Sequence, residues 1–118
     1  MKVILVDREA FRARRRALVD EFGKPDYDEG ARRKIAEGDG PYVHIGERSM
    51  MWECPGCGHV YAGNIGPEPV SGWDSPQWKV TGTPDAPTLA PSLGCGRWRT
   101  GECASGHWWL RDGELVPA

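Results

Sequence analysis

Cys54 and Cys57 stand two residues apart in the run CPGCG, with Pro55 and two glycines shaping the turn between and after them. Two thiolates from one tight turn reach a common ion, and glycine supplies the positive φ that such a turn needs. One such turn does not fill a metal's coordination shell, so further donors must come from elsewhere in the chain. Cys103 and His107, separated by three residues, form the natural second pair, and Cys95, set between Gly94 and Gly96, is the alternative fourth ligand. The spacing points to Zn2+ held by Cys54, Cys57, Cys103 and either His107 or Cys95. Two other states of the cysteines compete with it: buried free thiols packed as small hydrophobes, and disulfides, which a reducing compartment disfavours. A structural zinc contributes on the order of 10 kcal/mol in small peptides, comparable with the ~5–15 kcal/mol stability of a whole domain.

A catalytic zinc would need an open position and a nearby acid or base. Glu53 and Glu102 each precede a ligand, and strand alternation turns such neighbours away from the ion. His107 and His59 are better placed as proton shuttles. Ser92 and Thr88, held between Pro87 and Pro91 in the segment PTLAPS, are the hydroxyls that could hydrogen-bond a carbonyl or a tetrahedral intermediate. A rigid loop whose hydroxyls satisfy its own backbone accounts for the same residues. No HExxH pattern is present, and His44 and Glu47 are one residue too far apart for a deaminase motif. Sulfur-rich ligation also donates charge to zinc and favours a structural role.

These residues must be positioned by a small scaffold. The 118 residues, with 16 glycines, 10 prolines and six tryptophans, favour one domain of short strands and loops. Residues 2–6 read as a strand. Asp7 then caps a helix whose Phe11, Leu18 and Phe22 share a face, ended by Gly23 and Pro25. A second short helix is expected at residues 29–37. Strands follow at 42–45, 50–53, 59–65, 77–82 and 107–111, and Asp112-Gly113 turns the last into a short strand ELV. The expected fold class is α+β: an N-terminal strand and one or two helices packed on a small antiparallel, zinc-stapled β-rich domain. Residues 1–40 would be an extension and 41–118 the zinc-binding domain, in one compact unit. Trp108 and Trp109 face opposite ways, one towards the metal-side core and the other towards the N-terminal helix.

Further along, CPGCG, WKVTG, APTLAPSL, a Cys/His pair followed by aromatics, and RDGEL occur in series. Over residues 50–116 this series resembles the small bacterial and phage proteins grouped as domain of unknown function 6527. The resemblance implies a β-rich metal-containing domain. It also implies a peptidase role beside ubiquitin-like conjugation enzymes for some members, and Thr88 and Ser92 are the positions that carry over best.

Three functions follow. The first is a zinc-stapled phage or bacterial accessory protein that binds a protein partner, such as a ubiquitin-like protein or a host-defence component, through an exposed tryptophan patch around Trp73, Trp78 or Trp98. The second is a zinc-dependent hydrolase acting on a ubiquitin-like tail, with Ser92, Thr88 and His107 in its site. The third, less favoured, is nucleic-acid binding through the Arg12–Arg16 run. That run sits among Glu9, Asp20 and Glu21, the net charge is −2, and a solvated helix face is the simpler reading. No apolar stretch is long enough for a membrane span or a secretory leader, so the expected setting is the bacterial cytoplasm.

Overall fold

The computed structural model describes residues 1–72 and 75–118. It is an α+β structure of nine strands and three helices among the described residues. A short strand β1 (Ile4–Leu5) leads into α1 (Arg8–Phe22). Asp7 caps α1 by accepting the Ala10 N–H at 2.7 Å, and Gly23, at φ +81°, ends it by donating to the Val19 carbonyl. The second helix, α2 (Tyr27–Ala36), begins two residues earlier than its sequence suggests. Phe22 lies so close over Gly30 that no side chain fits at that position, which sets how tightly the two helices cross.

Six strands form the main sheet in the order β1, β2 (Tyr42–Ile45), β3 (Ser49–Glu53), β4 (Val60–Ile65), β5 (Gln77–Thr83) and β6 (Ala86–Ala90). The β1–β2 and β4–β5 pairings are parallel and the other three antiparallel, so this sheet is mixed. A second, antiparallel sheet joins β7 (Leu93–Gly94), β8 (His107–Arg111) and β9 (Glu114–Pro117), with α3 (Gly96–Arg99) between β7 and β8. The chain leaves the first sheet at Ala90 and enters the second at Leu93, which puts Pro91 and Ser92 at the corner between them.

One core serves both sheets. Trp52, Trp78 and Leu89 from the first pack with Leu93, Trp108, Leu110 and Leu115 from the second, together with Cys54, Cys95 and Cys103. The proline-bracketed segment was expected as a loop, yet Ala86–Ala90 is a strand. It lies at the sheet edge, where Pro87 withholds no hydrogen bond that an inner neighbour needs.

Two further expectations change. Helix α1 packs chiefly on α2 and β2, and the Trp109 ring lies under the Arg111 guanidinium at 4.6 Å. The arginine run is not all solvated: Arg14 is 7% exposed, bonded to Glu53 at 3.1 Å and Asp39 at 2.8 Å. Arg15 reaches Asp28 at 3.2 Å. No helix among the described residues is long and apolar enough to cross a membrane.

Candidate active site and metal centre

Four sulfurs converge between the two sheets. The CPGCG turn closes the β3–β4 connection, with the Cys54 N–H donating to the His59 carbonyl at 2.9 Å and the Gly58 N–H to the Cys54 carbonyl at 2.7 Å. Cys95 sits between β7 and α3, where its Sγ accepts the Trp98 N–H at 3.3 Å. Cys103 follows α3, its N–H donating to the Arg97 carbonyl at 2.9 Å. The Sγ atoms of Cys54, Cys57, Cys95 and Cys103 all lie within 4.8 Å of one another. Tetrahedral zinc with Zn–S bonds of about 2.3 Å asks for sulfurs roughly 3.8 Å apart, so the cluster fits with little adjustment. Gly56 and Gly106 leave room for it: a Cβ at Gly56 would stand 2.8 Å from the Cys103 sulfur, and one at Gly106 would collide with that of Cys95.

The electrostatics of the four sulfurs also point to a cation. Cys57 is held ionised, its pKa lowered to about 4, chiefly by the Cys54 thiol. Cys54 is driven far upward by that same hydrogen bond and by burial. Burial and the Cys57 charge push Cys103 up to about 11. Four thiolates cannot ionise together at this spacing without positive charge among them, and a divalent ion supplies it.

His107, expected as a ligand with Cys103, is turned elsewhere. Cys95 is the fourth sulfur, and His107 Nε2 lies 2.7 Å from Ser92 Oγ. The two β-strand registers explain the meeting. Gly94 pairs with His107 across β7 and β8, so the corner residue two positions earlier comes beside the first residue of β8. The Trp78 indole N–H holds the Ser92 carbonyl at 3.4 Å. On its other side the His107 ring is stacked on Trp98, with centroids 4.1 Å apart and planes at 26°. Both Ser92 and His107 are half-buried. They open on a cleft of about 150 Å³ walled by Pro76, Trp78, Pro91 and Trp98. Four larger hollows, of about 460, 560, 450 and 400 Å³, lie elsewhere on the described residues, and none is lined by a serine, cysteine or histidine.

Thr88 does not join this pair. Its hydroxyl accepts the Asp112 N–H at 2.9 Å and braces the β8–β9 turn. His59 bonds Asp28 at 3.0 Å, and His44 Nδ1 lies 3.0 Å from the Val6 carbonyl. Glu53 is fully buried, accepting from Arg14 and from the Tyr42 N–H, and is spent on structure. The tryptophan surface also fails to appear among the described residues: Trp52, Trp78 and Trp108 are buried, and Trp98 and Trp109 half-buried. Trp73 lies outside the described residues. The contact of Trp98 with His107 had no sequence signal, since nothing in the spacing announces a four-residue helix.

A family model described as bacterial ubiquitination-like system serine protease (BubE) matches residues 27–118. No curated protein and no solved structure matches the chain. The family match overturns the resemblance to domain of unknown function 6527. The match starts at the first residue of α2 and takes in the four cysteines, Ser92 and His107, so the chain belongs to the BubE family, the serine proteases of bacterial ubiquitination-like systems.

Proposed function

We propose that the chain is a serine protease in which Ser92 is the nucleophile and His107 its general base. The carrying observation is the 2.7 Å separation of Ser92 Oγ and His107 Nε2 in a cleft. In the neutral ring Nε2 accepts the hydroxyl proton as Oγ attacks a substrate carbonyl carbon. The imidazolium then gives that proton to the leaving amine, the C–N bond breaks, and a seryl ester remains. Water, deprotonated by the same ring, attacks the ester and releases the acid with Ser92 restored.

β7 is an edge strand of its sheet, and its Gly94 borders the cleft. An extended peptide laid along that edge passes its carbonyls across Ser92, the usual geometry of strand addition. A flexible C-terminal tail of a ubiquitin-like protein is a substrate of this shape, and the family's setting in a ubiquitination-like system supports it.

Zn2+ is the ion that best suits four cysteine sulfurs, and Cys54, Cys57, Cys95 and Cys103 would hold it. Bound there it contributes folding free energy and neutralises the thiolates. Four sulfurs would leave no vacancy for a substrate oxygen, so the zinc-dependent hydrolysis that was the sequence's second reading gives way to a serine mechanism with a structural metal.

The test is cleavage of a ubiquitin-like protein bearing a C-terminal extension. Ser92→Ala should lower kcat by at least about 10³-fold, as loss of a nucleophile does in serine proteases. Thr88→Val should leave kcat within about threefold, because Thr88 braces a turn outside the cleft. Full turnover in Ser92→Ala would overturn the assignment.

A further inference from the structure

We propose that Trp98 is the positioning residue for His107, doing through its indole face what an orienting carboxylate does in a Ser-His-Asp site. The inference rests on the Ser92–His107 reading above and deepens it. Three independent features converge on the Trp98 ring.

The first is the stack itself. At 4.1 Å and 26°, the indole covers one face of the imidazole and fixes its plane, and the plane determines whether Nε2 faces Ser92 Oγ. The second is that the ring occupies a prepared slot. A Cβ at Gly94 would stand 2.7 and 2.9 Å from two Trp98 ring carbons, and one at Gly106 would stand 2.6 Å from Trp98 Cβ. Neither glycine has a positive φ, so backbone conformation does not require glycine at either position. Space for the tryptophan accounts for both, with the Cys95 sulfur sharing the demand at Gly106. The third is the anchor: α3 is only four residues long, and the Cys95 sulfur caps it through the Trp98 N–H. The residue that stacks on the base is thereby tied to the sulfur cluster, and the chain segments 92–95 and 103–107 that carry nucleophile and base are both fastened there.

Stacking also suits the charge that develops. When His107 takes the Ser92 proton it becomes a cation lying on the electron-rich face of an indole, where it is stabilised. A leucine keeps an apolar contact in the slot but is smaller and supplies no such face. A phenylalanine supplies a smaller one.

The experiment is steady-state kinetics on the extended ubiquitin-like substrate, with zinc content and Tm measured on each variant. Trp98→Leu should lower kcat by roughly 10- to 100-fold, the range expected when a reacting group is misplaced by about an ångström, and kcat should fall by more than KM rises. Trp98→Phe should recover most of the loss. Gly94→Ala, whose Cβ would run into the indole, should reproduce the kcat defect. The Gly94→Ala/Trp98→Leu double variant should be no worse than Trp98→Leu alone, because both changes act on one contact. Zinc content should stay near wild type in Trp98→Phe and Gly94→Ala. Wild-type kcat in Trp98→Leu, or a Trp98→Phe variant as defective as Trp98→Leu, would overturn the inference while leaving Ser92 and His107 standing. Absence of Ser92-dependent turnover in the wild type would remove both.

Discussion

At the residue scale the structure sets the sulfur cluster apart from the Ser92–His107 pair, two groupings that the sequence had merged. His107 was readable as a ligand because it follows Cys103 at a zinc spacing, and Cys95 was readable only as a substitute. Spacing reports which donors share a turn and says nothing of where a strand pairs. The β7–β8 register brings Gly94 opposite His107, and the ring lies against Ser92. A prediction follows. Cys95→Ser should lower zinc stoichiometry well below one per chain, and His107→Ala should retain a full equivalent while losing turnover; elemental analysis of the purified variants decides it. The buried pair Arg14–Glu53 makes a second. Glu53 is fully buried and Arg14 nearly so, and Glu53→Gln leaves the guanidinium with the half-exposed Asp39 as its remaining ionic partner among the described residues. The loss should be about 3 kcal/mol or more by chemical denaturation, since breaking a buried pair strands a charge.

At the scale of elements, the first helix and its cap, the CPGCG turn and the Asp112-Gly113 hairpin were legible because each is set by neighbours in sequence. Strands β6 and β7 and helix α3 were not. Pro87 argued against a strand, and only its place at a sheet edge, a tertiary fact, makes it tolerable. The docking of elements depends on Asp28, which no local pattern marks. Its carboxylate accepts from His59 at 3.0 Å, Arg97 at 2.9 Å and Arg15 at 3.2 Å, and so joins α2 to the cysteine turn, to α3 and to α1. Burial alone would raise this carboxyl, but the His59 and Arg97 hydrogen bonds prevail and hold it below its ordinary 3.8. A carboxyl depressed in the folded state stabilises the fold above its unfolded value, and that contribution is lost as pH falls through the folded one. Stability should therefore drop below about pH 4, and Asp28→Asn should flatten the drop while costing roughly 1–3 kcal/mol at neutral pH. Thermal melts across pH 2.5 to 7 measure both. Gly58→Ala should be worse: its φ is +76°, and its Cβ would run into the Asp28 backbone, so α2 must lift off the turn.

Across the whole molecule, the fold class was legible from the change from a charged, helix-patterned N-terminal stretch to an aromatic, turn-rich remainder. The six-plus-three strand order was not, because parallel pairings such as β1–β2 join segments that share no hairpin. The sulfur cluster lies within the core that both sheets share, so metal loss should be felt globally. Chelation is expected to collapse the cooperative thermal transition, with turnover lost in parallel and recovered on adding Zn2+. Protein binding, in this account, belongs to the cleft at the corner between the sheets and not to a tryptophan surface. The most direct test of the central claim is the site of covalent modification by a fluorophosphonate, read by mass spectrometry on the zinc-loaded protein. The account predicts one adduct per chain, located on Ser92 and abolished by His107→Ala. An adduct on Thr88 or another hydroxyl, or labelling of Ser92 that persists at full rate without His107, would contradict it.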